Sequence, residues 1–155
     1  MIRLLFVCLG NICRSPAAEG VARRLADARG VHVDLDSAGV GDWHAGEHPD
    51  LRMQDAALKR GYDIGSLRAR QVKAEDFMTF DHILAMDEGN YAALERLRPE
   101  GAHARLSLMM SHAPESGVRE VPDPYYGGPG GFDNVLDLLE DSVGGLLDEV
   151  AAAQR

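Results

Sequence analysis

"FVCLGNICRSP" (residues 6–16) holds the end of one element, a turn and the beginning of the next. Upstream, "IRLLFV" (2–7) is a continuous apolar run of strand length, as expected of a central parallel strand covered on both faces. Downstream, Ser15 and Pro16 read as a helix start, with the serine as cap and the proline at the first helical position. Ala18, Val21, Ala22 and Leu25 put one apolar face on that helix, and Gly30 ends it.

The same alternation continues along the chain. "VHVDLDSA" (31–38) alternates like a strand, 50–60 reads as a helix, and "HILAM" (82–86) is a second apolar strand. A helix over 88–97 stops before Pro99, and "ARLSLMM" (104–110) reads as a fourth strand. Residues 113–131, rich in Pro and Gly, read as a long loop. Phe132, Val135, Leu136, Leu139, Val143, Leu146, Leu147 and Val150 then recur at helical spacing, although Gly144 and Gly145 weaken that helix by about 1 kcal/mol each. Strand and helix in turn imply a doubly wound α/β fold: a four-stranded parallel sheet with helices on both faces and right-handed crossovers.

With 155 residues, 45% of them hydrophobic, the chain fits one domain with its own core. A formal net charge of −9 repels polyanions and argues against nucleic-acid or anionic-membrane partners. Any anion must therefore be captured locally. No stretch approaches the roughly 18 apolar residues of a membrane span, and the opening run is shorter than the core of a signal peptide. Two cysteines are too few for a disulfide framework, so a reducing cytoplasm is the expected compartment, with secretion lacking a signal peptide as the other route.

In doubly wound sheets, ligands bind beyond the carboxyl ends of the strands, and residues 8–14 form the first such turn. Leu9, Gly10, Asn11, Ile12 and Cys13 offer backbone N–H groups at a helix N-terminus, with Gly10 and Asn11 able to take positive φ. A dianion suits that cradle. Arg14 adds a planar guanidinium able to grip two of its oxygens. The same positive surroundings favour the thiolate of Cys8, which is expected to ionise in the range of roughly 3.5–7.5 and to act as a nucleophile at neutral pH. Ser15 can donate its hydroxyl to the sulfur and ease its departure, besides capping the helix.

These residues resemble the low-molecular-weight protein tyrosine phosphatases, whose Cys-x5-Arg-Ser/Thr signature stands here as "VCLGNICRSP". Further matches are "DSAGVGDWHAGEHPD" (36–50), "ARQV" (69–72), "EDFMTFDHILAMDEGN" (75–90) and "VPDPYYGG" (121–128). The resemblance implies a Rossmann-like three-layer sandwich of the phosphotyrosine phosphatase I type, in a single domain over residues 1–155. It also implies hydrolysis of phosphotyrosine through a phosphocysteine, with Cys8 attacking, Arg14 stabilising and Asp123 acting as acid and then base. Trp43, Tyr125 and Tyr126 match positions that wall a deep slot suited to a flat phosphorylated ring. Tyrosine-phosphorylated proteins are the expected partners, vanadate and arsenate the expected phosphate mimics, and a monomer working without cofactor or metal the expected form.

Related activities are weighed residue by residue. In bacterial relatives that dephosphorylate arginine a threonine stands where this chain has Ile12, so isoleucine favours phosphotyrosine. Thioredoxin-coupled arsenate reduction needs further cysteines in the middle of the chain, and none follows Cys13. A zinc site from Cys8, Cys13, His44 and His48 would have about 30 residues between its pairs, against roughly 12 in a finger. A phosphoprotein-binding module would not need Asp123. Cys13 is either a small buried residue or a partner that traps oxidised Cys8 as a disulfide. Where the family often has a bracing histidine before "ARQ" this chain has Leu67 and Arg68, so the brace of Asn11 is either missing or replaced, with Ser37 as the candidate. Glu140, Asp141, Asp148 and Glu149 read as a solvated face of the last helix, as do the remaining histidines.

Overall fold

The computed structural model describes residues 1–128 and 130–154 and forms strand β1 from Ile2–Cys8. On one side of it lies β2 (Val33–Gly39); on the other lies β3 (His82–Ala85), followed by β4 (Arg105–Leu108). All pairings are parallel and the order is β2-β1-β3-β4. The chain thus adds β2 on one flank of β1 and crosses back to the other, so the loops beyond β1 and β3 part at the carboxyl edge. That parting is where a crevice opens in such sheets.

The period of two along β1 assigns its side chains to the two outer layers. Leu4, Phe6 and Cys8 pack with helices α1 (Arg14–Arg29) and α5 (Gly131–Ala153), whereas Leu5 and Val7 join Ile83, Phe77 and Leu94 on the opposite face. Phe6, Leu4 and Leu5 are fully buried, each contributing about 1.5–3 kcal/mol by leaving water. Helices α2 (Leu51–Lys59) and α4 (Glu88–Leu97) begin on the aspartates Asp50 and Asp87, whose carboxylates accept backbone N–H groups of the first turn. A short helix α3 (Asp76–Thr79) lies outside the sequence expectation, being one turn with no periodicity to reveal it. No helix among the described residues is long and apolar enough to cross a membrane.

Gly30 closes α1 at φ 66°, the left-handed cap expected of it. The start of α1 departs from expectation. The helix begins at Arg14, no side chain caps it, and Ser15 and Pro16 lie inside the first turn. The Ser15 hydroxyl is turned toward Cys8 and Asn11 instead of the helix amides. Strand β4 is also shorter than 104–110, because Met109–His112 tighten into a 3-10 turn under α5. Within the 113–131 loop, Pro114–Ser116 form a further 3-10 turn.

The acidic face of α5 is not merely solvated. Glu140 accepts from Tyr62 and Arg60, Asp148 from Arg29, and Glu149 faces His112, tying α5 to three other parts of the chain. Asp141 stays exposed as expected. Burial and the Glu140 contact push the Tyr62 hydroxyl up to about 12.

Candidate active site

Strand β1 ends at Cys8, and the turn that follows is held open by its neighbours. Val40 donates to the Cys8 carbonyl and Gly41 to that of Leu9, both at 2.9 Å. Asn11 has φ 59°, the one positive φ at a non-glycine position among the described residues. Such a residue turns successive N–H groups of a loop toward one point. Its side chain holds that geometry: Oδ1 accepts from the Arg70 N–H at 3.0 Å, while Nδ2 donates to Ser15 at 2.7 Å and Ser37 at 3.1 Å. Gly39 lets β2 approach, since a Cβ there would lie 3.0 Å from the Gly10 carbonyl carbon.

The candidate reacting groups converge above this turn. Cys8 Sγ lies 3.0 Å from Ser15 Oγ, and Arg14, only 2% exposed, donates to Asp87 at 2.6 Å and to the Val121 carbonyl at 3.1 Å. Its other terminal nitrogen is 3.6 Å from Asp123. Burial opposes the Arg14 charge, yet Cys8, Asp87 and Asp123 outweigh it and hold the guanidinium proton more tightly than usual. Val121 is anchored through its N–H to the Met86 carbonyl, which brings the Asp123 loop to the end of β3. Asp123 Oδ1 accepts from the Tyr125 N–H at 3.1 Å, while 40% of its side chain stays open to solvent.

A cavity of about 330 Å³ opens over Cys8, with Leu9, Gly10, Ile12, Cys13 and Arg14 beneath it. Trp43, Tyr125, Tyr126 and Asp123 rise around it. Tyr125 meets Tyr126 edge-to-face at 4.8 Å, and the Arg52 guanidinium sits between the rings of Tyr125 (5.4 Å) and Phe132 (4.9 Å). The aromatic wall is therefore pinned to α2 and α5.

Two expected ligands stand elsewhere. Asn11 and Ser15 do not line the cavity; at 2% and 0% exposure they lie beneath it and shape it. Ser37 occupies the bracing place beside Asn11, and its hydroxyl passes on to the buried Glu19 at 2.8 Å. Both cysteines are free thiols, and burial, with Asp50 and Cys8 adding to it, pushes the Cys13 thiol well above its ordinary range. Among the described residues, no group of three or more His, Cys, Asp or Glu is arranged to hold a metal ion.

Several contributors carried no signal in the sequence. His44, weighed there only as a zinc ligand, lines the cavity, with its ring against Gly10 and its Nδ1 paired to Glu47. Asp87, Glu19, Arg70 and Arg52 act through contacts between residues far apart in the chain. Only the fold reveals them.

A thiol, a guanidinium and a carboxyl now share one cavity at the carboxyl edge of a parallel sheet. The chain matches the family model for low molecular weight phosphotyrosine protein phosphatase over residues 3–155. A Synechocystis relative is 49% identical over 149 residues, covering 94% of each chain. The crystal structure of a protein tyrosine phosphatase from Entamoeba histolytica, with Hepes in its active site, superposes with a TM-score of 0.94 at 40% identity over the whole of both chains. That of a Drosophila arginine phosphatase gives a TM-score of 0.90 at 31% identity, covering 96% of this chain and 97% of its own. The residues around Cys8, the sheet order and these matches together make the chain a member of the low molecular weight phosphotyrosine protein phosphatase family.

Proposed function

We propose that this chain, as a single domain, hydrolyses phosphotyrosine in proteins by two displacements at phosphorus. In the first, the Cys8 thiolate attacks, the P–O bond breaks, and Asp123 gives its proton to the departing tyrosine oxygen. In the second, Asp123 takes a proton from water, the water oxygen attacks the phosphocysteine, and the S–P bond breaks with the Ser15 hydroxyl donating to the leaving sulfur. Arg14 and the loop N–H groups hold the equatorial oxygens throughout, so the positive charge needed for transfer comes from the chain itself.

One observation carries this reading: Arg14 reaches Asp123 at 3.6 Å in the same cavity that the buried Cys8 lines, so nucleophile, anion clamp and acid face one space. The aromatic walls favour a flat ring on the phosphate. Ile12 in the floor favours phosphotyrosine over phosphoarginine, and with no cysteine after Cys13 a relayed arsenate reduction has no second thiol. Vanadate and arsenate should bind as phosphate mimics. We take its compartment to be the reducing cytoplasm, on the strength of its two free thiols, its working form to be a monomer, and its partners to be tyrosine-phosphorylated proteins.

The test compares phosphotyrosine, phosphoarginine and phosphoserine hydrolysis side by side with chelator present, in wild type, Cys8→Ser and Asp123→Ala. Cys8→Ser should lose turnover and keep anion binding. Asp123→Ala should slow the first step by roughly 10² to 10⁴, most for poor leaving groups. An undiminished rate in Asp123→Ala sinks the assignment of the acid, and faster phosphoarginine turnover sinks that of the substrate.

A further inference from the structure

We propose that Glu19 is a positioning residue for the nucleophile: its carboxylate takes the Ser37 proton and, together with the Arg70 N–H that orients Asn11, keeps the hydrogen-bond chain Glu19–Ser37–Asn11–Ser15–Cys8 running one way, leaving the Ser15 proton for the sulfur. The proposal rests on the reading of Cys8 as nucleophile and adds a residue three positions beyond the Pro16 turn, on the buried side of α1.

Donor accounting sets the direction. The Arg70 N–H has to donate, so Asn11 turns Oδ1 toward it at 3.0 Å and Nδ2 toward both serines. Each serine oxygen is then an acceptor, and each hydroxyl proton has to go elsewhere. For Ser37 that partner is Glu19 Oε1 at 2.8 Å. For Ser15 the partners are the Ala38 carbonyl at 3.3 Å and Cys8 Sγ at 3.0 Å, and an ionised sulfur claims the proton.

Both Glu19 oxygens face donors, since Oε2 accepts from Arg23 at 3.2 Å. The carboxylate fits this arrangement; the acid does not. A proton on Oε1 would aim two donors, Glu19 and Asn11, at the Ser37 oxygen and strand the Ser37 proton. Yet the charge works against folding. Glu19 is 5% exposed, and burial, with Asp36 adding to it, pushes its carboxyl up against the pull of Ser37 and Arg23. A group with a raised folded-state pKa is stabilising when protonated, and that stability is lost as pH rises through the folded value. An uncharged group of the same shape should fold at least as well. The charge therefore supplies direction to the chain of donors, at some expense to stability.

Glu19→Gln tests this, because an amide can donate to Ser37 as readily as accept. With p-nitrophenyl phosphate as substrate, kcat should fall about tenfold, the value of one hydrogen bond to a charged group. Rapid quench should find more of the enzyme as phosphocysteine, since departure of the sulfur is the step slowed. The melting temperature should not fall. Ser37→Ala cuts the chain at its middle and should reproduce the kinetic change, and the double variant should be no worse than the worse single one. A Glu19→Gln enzyme with wild-type kcat and phosphoenzyme level overturns the proposal, as does a kcat loss that tracks a lowered melting temperature. If the wild type itself forms no phosphoenzyme, the reading of Cys8 is what has failed.

Discussion

The carboxylate of Asp87 grips Arg14 at 2.6 Å and, with its other oxygen, accepts the Asn90 N–H at 2.7 Å. One residue thus caps α4 and aims the cation that lines the candidate active site. The two duties separate by substitution. Asp87→Asn keeps a capping side chain and removes the charge that Arg14 faces, so kcat/KM should fall at least ~10-fold and inorganic phosphate should inhibit more weakly. Asp87→Ala should show the same kinetics and lose about 1 kcal/mol more stability with the cap. Inhibition by phosphate at wild-type strength in the Asn variant would show that Arg14 does not depend on Asp87.

Trp43 is 66% exposed, but its indole presses close on Gly41, where an added Cβ would fall 1.8 Å from the ring. Gly41→Ala must therefore lift the indole from the cavity wall without touching Cys8, Arg14 or Asp123. The expected result is a KM for aryl phosphates raised by up to about tenfold, the worth of one aromatic contact, with kcat little changed. An alkyl phosphate makes no such contact and should show no change. Equal effects on both substrates would mean that Gly41 acts through the phosphate cradle instead.

The strands, and the cysteine and arginine that face the cavity, were legible in the sequence because each rests on a local pattern. An apolar run marks β1, the left-handed cap at Gly30 closes α1, and a cysteine and an arginine flank a turn that has to take positive φ. What stayed hidden depends on distance along the chain. Asp87 and Arg14 are 73 residues apart, Arg70 and Asn11 59, and no spacing rule joins them. Of the two uses read for the Ser15 hydroxyl, the structure shows the contact with the Cys8 sulfur at 3.0 Å and no helix cap, because one hydroxyl turned toward the sulfur is not free for the helix amides.

Gly144 and Gly145, equivalent in the sequence, are separated by their neighbours. A Cβ at Gly145 would lie 1.9 Å from the His112 carbonyl oxygen, so the glycine lets the Met109–His112 turn press against α5. At Gly144 the nearest atom, at 3.3 Å, is the end of the flexible Arg29 side chain. Gly145→Ala should therefore cost about 1–3 kcal/mol through overpacking against backbone. Gly144→Ala should gain about 0.5–1 kcal/mol from helix propensity. Denaturant midpoints of the two variants decide the matter, and equal shifts would remove the packing role of Gly145.

Asp50 caps α2 by accepting from the Arg52 N–H at 2.8 Å, and its own N–H donates to the Ile12 carbonyl, so the helix is fastened to the floor of the cavity. Hydrogen bonds from Arg52 hold its carboxyl below the usual range despite partial burial. A depressed carboxylate contributes stability above the ordinary aspartate value near about 4 and loses it as pH falls through the lower folded value. Asp50→Ala should accordingly lower stability by about 1 kcal/mol at neutral pH, and the gap in melting temperature to the wild type should close on acidification. Because Arg52 sits against Tyr125, the same variant should also raise KM for aryl phosphates at neutral pH. A gap that stays constant down through the carboxylate range would mean that the charge of Asp50 contributes nothing, and that its place in the turn does all the holding.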